Sequence, residues 1–254
     1  MFSSEKRCHY HNSPLAEVIC QLRFPQILTI NANAPADFQE MIRDRFPKYS
    51  ANTEKPSHQI TGQVQTPIVN YQFSSQDSLW RVNLTSGSIA LSTHRYTGWE
   101  DFAERLDSPL AAFIQTYKPA YFERVGLRYV NFFSRERLGL VGTPFREMFI
   151  SEYLGPMGLE TLPEGSFNRS TVDADFDVGN GCRVQLHAGP GLVNINGQQS
   201  KEVHFVFDCD YYMSGNIPVN YSAGALQTLH TKTYPLFRGA ITDLLHNAME
   251  PTDI

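Results

Sequence analysis

The sequence predicts an α+β protein with antiparallel sheets in two sequential halves, each with a long proline-interrupted helix packed on one face. Three observations carry this prediction. Alternating apolar and polar runs rich in Val, Ile, Phe and Tyr recur along the chain, separated by Gly, Ser and Asn-Gly turns. Two stretches with helical spacing, residues 99–117 and 223–249, carry Pro109 and Pro235 inside apolar stripes. Between the halves, residues 134–169 are dense in glycine and proline. The layout is therefore an N-terminal α+β half at 1–133, a junction at 134–169 and a C-terminal α+β half at 170–254, with one continuous domain as the alternative.

Residues 1–12 read as an entry arm. In the first strand, 15–24, Ala16, Val18, Cys20, Leu22 and Phe24 face one way, and Glu17, Ile19, Gln21 and Arg23 the other. Pro25 ends it. Pro35 and Asp37 suit the first turn of a helix whose apolar spacing runs through Phe38, Met41, Ile42 and Phe46 to Pro47. Residues 48–66 are polar and punctuated, which fits a loop or a weak strand. Strands at 68–74, 79–85 and 89–96, joined by polar turns, make an antiparallel meander. Thr97 has the chemistry of an N-cap for the helix at 99–117, with Glu100 as capping-box partner, and Pro109 marks a kink or break. Pro119 then delivers the chain into a long buried strand at 121–133. Alternation there places Arg124 and Arg128 on one face and Val125, Leu127 and Tyr129 on the other.

After the junction, with a short helix around 145–154, strands are expected at 170–178, 182–188 and 202–213. Asn180-Gly181 is a hairpin turn between the first two, and Asn196-Gly197 marks the connection to the third. Both halves run strands and then a helix, without a residue-level repeat.

The formal net charge of −5 over 254 residues does not suit a protein that binds nucleic acid through bulk electrostatics. Cys8, Cys20, Cys182 and Cys209 are far apart and form neither a disulfide framework nor a zinc signature, as for core thiols in a reducing cytoplasm. No segment is long and apolar enough to cross a bilayer as a helix, so a soluble, cytoplasmic protein is expected. Gly87-Ser88, Gly139-x-x-Gly142 and Gly189-Pro190-Gly191 read as loop glycines and lack the context of a phosphate cradle. No nucleophile elbow or zinc-protease helix is present, and no cofactor is implied.

Two constellations remain. Asp173, Asp175 and Asp177 share one face of a strand, His204, Asp208 and Asp210 share one face of another, and Arg183, Gln185 and His187 share a face of the strand between them in sequence. If the three align, the acidic face becomes a candidate metal or acid–base site; the plainer reading is the wet side of an antiparallel sheet. The second is the central strand, where Arg124, Arg128 and Asn131 form a candidate binding set, with Tyr211 and Tyr212 beside Met213 as a contact surface. Cys8-His9-Tyr10-His11 offers ligand types in a flexible arm, without a closed ligand set.

The run from Asn12 to Phe24, the run from Glu123 to Asn131 and the helix from Leu229-His230 to Ile241-Thr242-Asp243 resemble a sporadically distributed prokaryotic family of uncharacterised proteins of about this length. That resemblance implies a length and a domain layout and transfers no catalytic residue; a patchy distribution fits accessory or defence-type genes. The function expected is a non-catalytic binding or assembly subunit working through protein–protein contacts, its partner another protein or a second copy. One alternative is a metal-assisted hydrolase or nuclease on the acidic face. Another is anion or nucleic-acid binding by an arginine patch of Arg124, Arg128, Arg135 and Arg137.

Overall fold

The computed structural model describes residues 2–54, 68–195 and 197–253. The chain begins with β1 (Cys8–Tyr10) and β2 (Leu15–Arg23), in which Val18, Cys20 and Leu22 are buried, as their alternation requires. Two short helices follow, α1 (Leu28–Ala32), which the sequence reading does not contain, and α2 (Ala36–Ile42), with Asp37 in its first turn and Phe38 and Ile42 buried. The meander comprises β3 (Lys48–Glu54), β4 (Ile68–Ser74), β5 (Trp80–Thr85) and β6 (Ser88–Thr93). Residues 48–54 are thus a strand; the rest of the stretch read as loop or weak strand, 55–66, lies outside the described residues. Next come α3 (Trp99–Tyr117), β7 (Phe122–Phe133) and α4 (Phe145–Met148). The chain ends with β8 (Val172–Gly179), β9 (Cys182–Ile195), β10 (Gln198–Ile217), α5 (Ser222–Ala240), α6 (Asp243–Ala248) and β11 (Pro251–Asp253).

This is a mixed α+β protein with large antiparallel sheets. It divides into two compact units, neither of them a continuous stretch of chain. Unit one comprises Met1–Ala16, Arg128–Tyr212 and Gln227–Ile254; unit two comprises Glu17–Leu127 and Met213–Leu226. The chain passes from one to the other within β2, β7, β10 and α5, so the expected junction at 134–169 lies inside unit one. Glycine and proline content marks where a chain turns; long-range strand pairing decides which segments share a core.

In unit two the strand order is β3-β4-β5-β6-β2-β7. Helix α3 buries Phe102, Leu106, Leu110 and Phe113 of the stripe its spacing selects, while Ile114 and Tyr117 of that stripe are only half-buried. Phe113 packs on Phe24 at 4.6 Å between ring centres, and Phe102 on Trp80 at 5.8 Å. Each such buried ring contributes roughly 2–3 kcal/mol by leaving water. The helix runs through Pro109 as one element. Its N-cap is Gly98, not Thr97, whose hydroxyl instead donates to Asp101 at 2.8 Å. Thr97 thus lies one residue before the N-cap, and no side chain caps the first backbone N–H groups.

In unit one the order is β7-β10-β9-β8, all pairs between β10, β9 and β8 being antiparallel. Odd-numbered residues of β10, Phe205, Phe207, Cys209 and Tyr211, are buried. They meet the rings of Phe149 and Phe237 and the backbone of α5: Phe205 stacks on Phe149 at 4.0 Å, and the Tyr211 hydroxyl donates to the Thr233 carbonyl. The final helix is two, because α5 stops at Ala240 and Thr242 caps α6, accepting from the Leu245 N–H. Nor is the amino-terminal arm free. β1 pairs with β11, Cys8 opposite Asp253 and Tyr10 opposite Pro251, while Arg238 holds both Glu5 and Asp243.

Candidate functional site

With its odd face in the core, β10 turns Asp208, Asp210 and Tyr212 to the other side of the unit-one sheet, and register then decides what they meet. His187 stands between Asp173 of β8 and Asp208 of β10; Gln185 stands between Asp175 and Asp210; Arg183 stands between Asp177 and Tyr212. The three strands therefore align their polar faces. The β8–β9 register is set by the Asn180-Gly181 turn, both residues having positive φ, 59° and 71°, the geometry a two-residue hairpin needs. Asn196, half of the other expected turn, lies outside the described residues.

Arg128, Asp173, Asp175, Gln185, His187, Asp208 and Asp210 line a groove of about 500 Å³ on this face. Arg128 grips Asp208 with two prongs: its Nε donates to Oδ1 at 2.7 Å and a terminal nitrogen donates to Oδ2. The aspartate side chain is 12% exposed and the arginine 44%, so the carboxylate sits at the floor and the guanidinium at the rim. Asp175 accepts from Arg183 at 3.1 Å, Gln185 at 3.3 Å and the Tyr212 hydroxyl at 3.0 Å. Partial desolvation acts to raise its pKa, but the hydrogen bonds from Gln185 and Tyr212 and the charge of Arg183 together hold it below the usual carboxylate range. Asp173 is also lowered, first by its 2.6 Å hydrogen bond with His187 Nδ1.

The sequence-selected residues separate on this frame. Asp173, Asp175, Asp208 and Asp210 come together, and Arg128 of the binding set joins them. Asp177 closes the β8–β9 turn by accepting from the Gly179 N–H at 2.6 Å, and buried His204 binds the Glu202 carbonyl; neither lines the groove. Among the described residues no three His, Cys, Asp or Glu side chains form a group able to hold a metal ion. Each of three carboxylates is turned to a neighbouring donor instead, which spreads them along the strands. Asn131 is buried and donates to the Phe207 carbonyl at 3.1 Å, so it serves the sheet.

Tyr211 and Tyr212 are not an exposed surface: both are buried, Tyr211 in the core and Tyr212 with its hydroxyl on Asp175. A pair of adjacent aromatics on a strand must point to opposite faces, and both faces are covered here. Of the arginine patch, Arg135 binds Glu164 at 2.8 Å and lies over the Phe145 ring, and Arg137 donates to the Ser13 carbonyl. In unit two, the Arg124 guanidinium lies against Gly126, where an added Cβ would come within 2.3 Å of it. Cys8 and Tyr10 belong to β1, Cys8 Sγ within 3.4 Å of the Tyr234 hydroxyl and Tyr10 bonded to His246, so this cluster is structural. Gly189 and Gly191, read as loop residues, lie inside β9.

The groove residues that sequence reasoning left out of its candidate sets are Gln185 and His187. Alternation already puts them on the acidic face; their central place depends on β9 lying between β8 and β10. Chemically the groove offers four carboxylates and one imidazole against Arg128, with Arg183 beside Asp175, and its lining contains no hydroxyl or thiol nucleophile. It is built to accept hydrogen bonds from a donor-rich, positively charged group. Compared with known protein families and curated proteins, the chain matches none.

Proposed function

We propose that the protein is a non-catalytic binding subunit that works through protein–protein contacts, and that the unit-one groove receives a basic segment of its partner. The observation that carries this reading is the charge of the lining, Asp173, Asp175, Asp208 and Asp210 against Arg128. A Lys or Arg side chain entering there gains charge-assisted hydrogen bonds at carboxylates already fixed by their neighbours, so little side-chain freedom is lost. Engagement of Arg128, Arg135 and Arg137 within the chain supports this reading over nucleic-acid binding.

The test uses the full chain and a fluorescein-labelled peptide of alternating Arg and Gly, read by anisotropy, with a Glu-Gly peptide as control. Binding of the basic peptide alone, weakening as salt rises and lost in Asp173→Asn/Asp210→Asn, is the expected result. Equal binding of both peptides, or none at low salt, sinks the proposal. Titration with Mg²⁺, Mn²⁺ and Zn²⁺ in the same assay addresses the metal-dependent alternative.

A further inference from the structure

The outer edge of β3, in unit two, stands at the end of the strand order, and among the described residues no strand pairs with it. It is a regular seven-residue strand, held to β4 from Lys48 opposite Ser74 to Glu54 opposite Ile68 without a register shift. Residues 48 to 53 are all exposed, although the Tyr49 ring lies 5.5 Å from that of buried Phe73. Proteins normally protect such an edge with proline, a bulge or repeated charge, because a row of unpaired backbone donors and acceptors invites another strand. The edge strand of unit one shows the protection: β8 carries Asp173, Asp175 and Asp177 at alternate positions and shifts register before Gly179. β3 has none of this along its middle, where the sequence is Tyr49-Ser50-Ala51-Asn52-Thr53.

The same sequence indicates which strand would fit. Antiparallel pairing of β3 with a copy of itself, centred on Ala51, sets Tyr49 opposite Thr53, Ser50 opposite Asn52 and Ala51 opposite Ala51. Aromatic–threonine and polar–polar pairs are favourable cross-strand combinations, and no like charges meet in this register. A shift of the centre by one residue in either direction loses both Tyr49–Thr53 pairings. We propose that β3 pairs antiparallel with β3 of a second copy of this chain, about a two-fold axis at Ala51. The contact is isologous and closes on itself, and none of its residues lines the unit-one groove. One strand per partner buries less surface than a permanent dimer does, so the association is concentration-dependent.

Cysteine cross-linking reads the register directly. In Ala51→Cys the two thiols face each other across the axis at a separation a disulfide can span, whereas in Tyr49→Cys they lie roughly 13 Å apart along the strands. Mild oxidation should give a disulfide-linked dimer of Ala51→Cys on a non-reducing gel. Tyr49→Cys and the native chain, whose Cys8 is half-buried and whose other three cysteines are buried, should give none. Sedimentation of the native protein should show mass rising with concentration from 28.8 kDa toward twice that value. Ala51→Lys, which sets like charges opposite each other at the axis, should weaken association about five-fold. A native chain that stays monomeric at every concentration, or a dimer in which Ala51→Cys cross-links no better than Tyr49→Cys, overturns the proposal. Circular dichroism confirms that each variant is folded. The result does not depend on peptide binding in the groove.

Discussion

Arg128 of β7 and Asp208 of β10 form a bidentate ion pair in which the carboxylate is the more deeply placed partner. The pair joins residues 80 positions apart in the chain and neutralises the innermost of the groove's acidic residues. Its partners are unequal, and that asymmetry sets the cost of breaking it.

Removing the arginine strands a nearly buried carboxylate, whereas removing both groups strands nothing. Arg128→Met should therefore cost about 2 kcal/mol, discounted for the exposure of the guanidinium, and Arg128→Met/Asp208→Leu should recover at least half of it. Urea unfolding of the native chain and the variants gives the coupling; a double variant less stable than Arg128→Met would contradict the pairing.

His187 and Asp173 give a second prediction, one of direction. The hydrogen bond from His187 is the largest influence holding the Asp173 carboxyl below its usual value. Asp173 is therefore stabilised in its ionised form above the unfolded-state pKa, and that contribution is lost as pH falls through the lower folded-state value. His187→Ala should raise the Asp173 midpoint in a carbon-detected NMR titration, with the Asp175 midpoint changing less.

Buried His230 predicts the acid limb of the stability curve. Its side chain shares a 3.1 Å hydrogen bond with the Tyr129 hydroxyl, and burial, aided by the charge of Arg7, pushes its pKa down to about 3. Below the unfolded histidine's pKa the unfolded chain takes up a proton that the folded chain refuses, so stability falls with pH. Between about pH 6.5 and 3 this one group should contribute a slope of roughly 1.4 kcal/mol per pH unit. His230→Gln should flatten that part of the curve in urea unfolding measured at successive pH values. An unchanged slope would assign the acid sensitivity elsewhere.

Two glycines on strands should respond differently to the same change. A Cβ at Gly189 would lie 2.5 Å from the Ser170 carbonyl oxygen and 3.1 Å from the Thr171 Cα, backbone atoms that cannot turn aside. A Cβ at Gly126 meets only the end of the Arg124 side chain, which can. Gly189→Ala should cost about 3 kcal/mol and Gly126→Ala no more than about 1 kcal/mol, compared by thermal unfolding.

Much of unit one's polar face is legible from parity alone. Alternation groups Asp173, Asp175 and Asp177, and separately Asp208 and Asp210, and it puts Arg128 opposite in sense to Val125 and Leu127. It does not say that β10 lies between β7 and β9, because the order of strands in a sheet is fixed by contacts between distant segments. For that reason Asp208 and Arg128 read as members of two different sites. Tyr211 and Tyr212 fail for a related cause: an aromatic near the end of a strand is equally at home in core and contact surface, and only the placement of α5 and β8 decides. The three-residue β1 is too short to show a period, so its role was invisible without β11. In unit two the bounds of β4, β5 and β6 and most of the buried stripe of α3 follow from local spacing to within a few residues, whereas β3 lies in a stretch that reads as a loop or weak strand.

The pairing of β1 with β11 has a consequence for biosynthesis. Residues 8–10 leave the ribosome more than 200 residues ahead of their partners at 251–253. Closing a loop of that length is only modestly more costly than closing a short one, but it cannot begin until the far strand exists. Until then the early segment waits with open backbone groups, as does Glu5, which Arg238 clamps in the folded chain. A nascent chain stalled before residue 251 would present this segment to chaperones and proteases, so emergence of that distant strand is the step that conceals it.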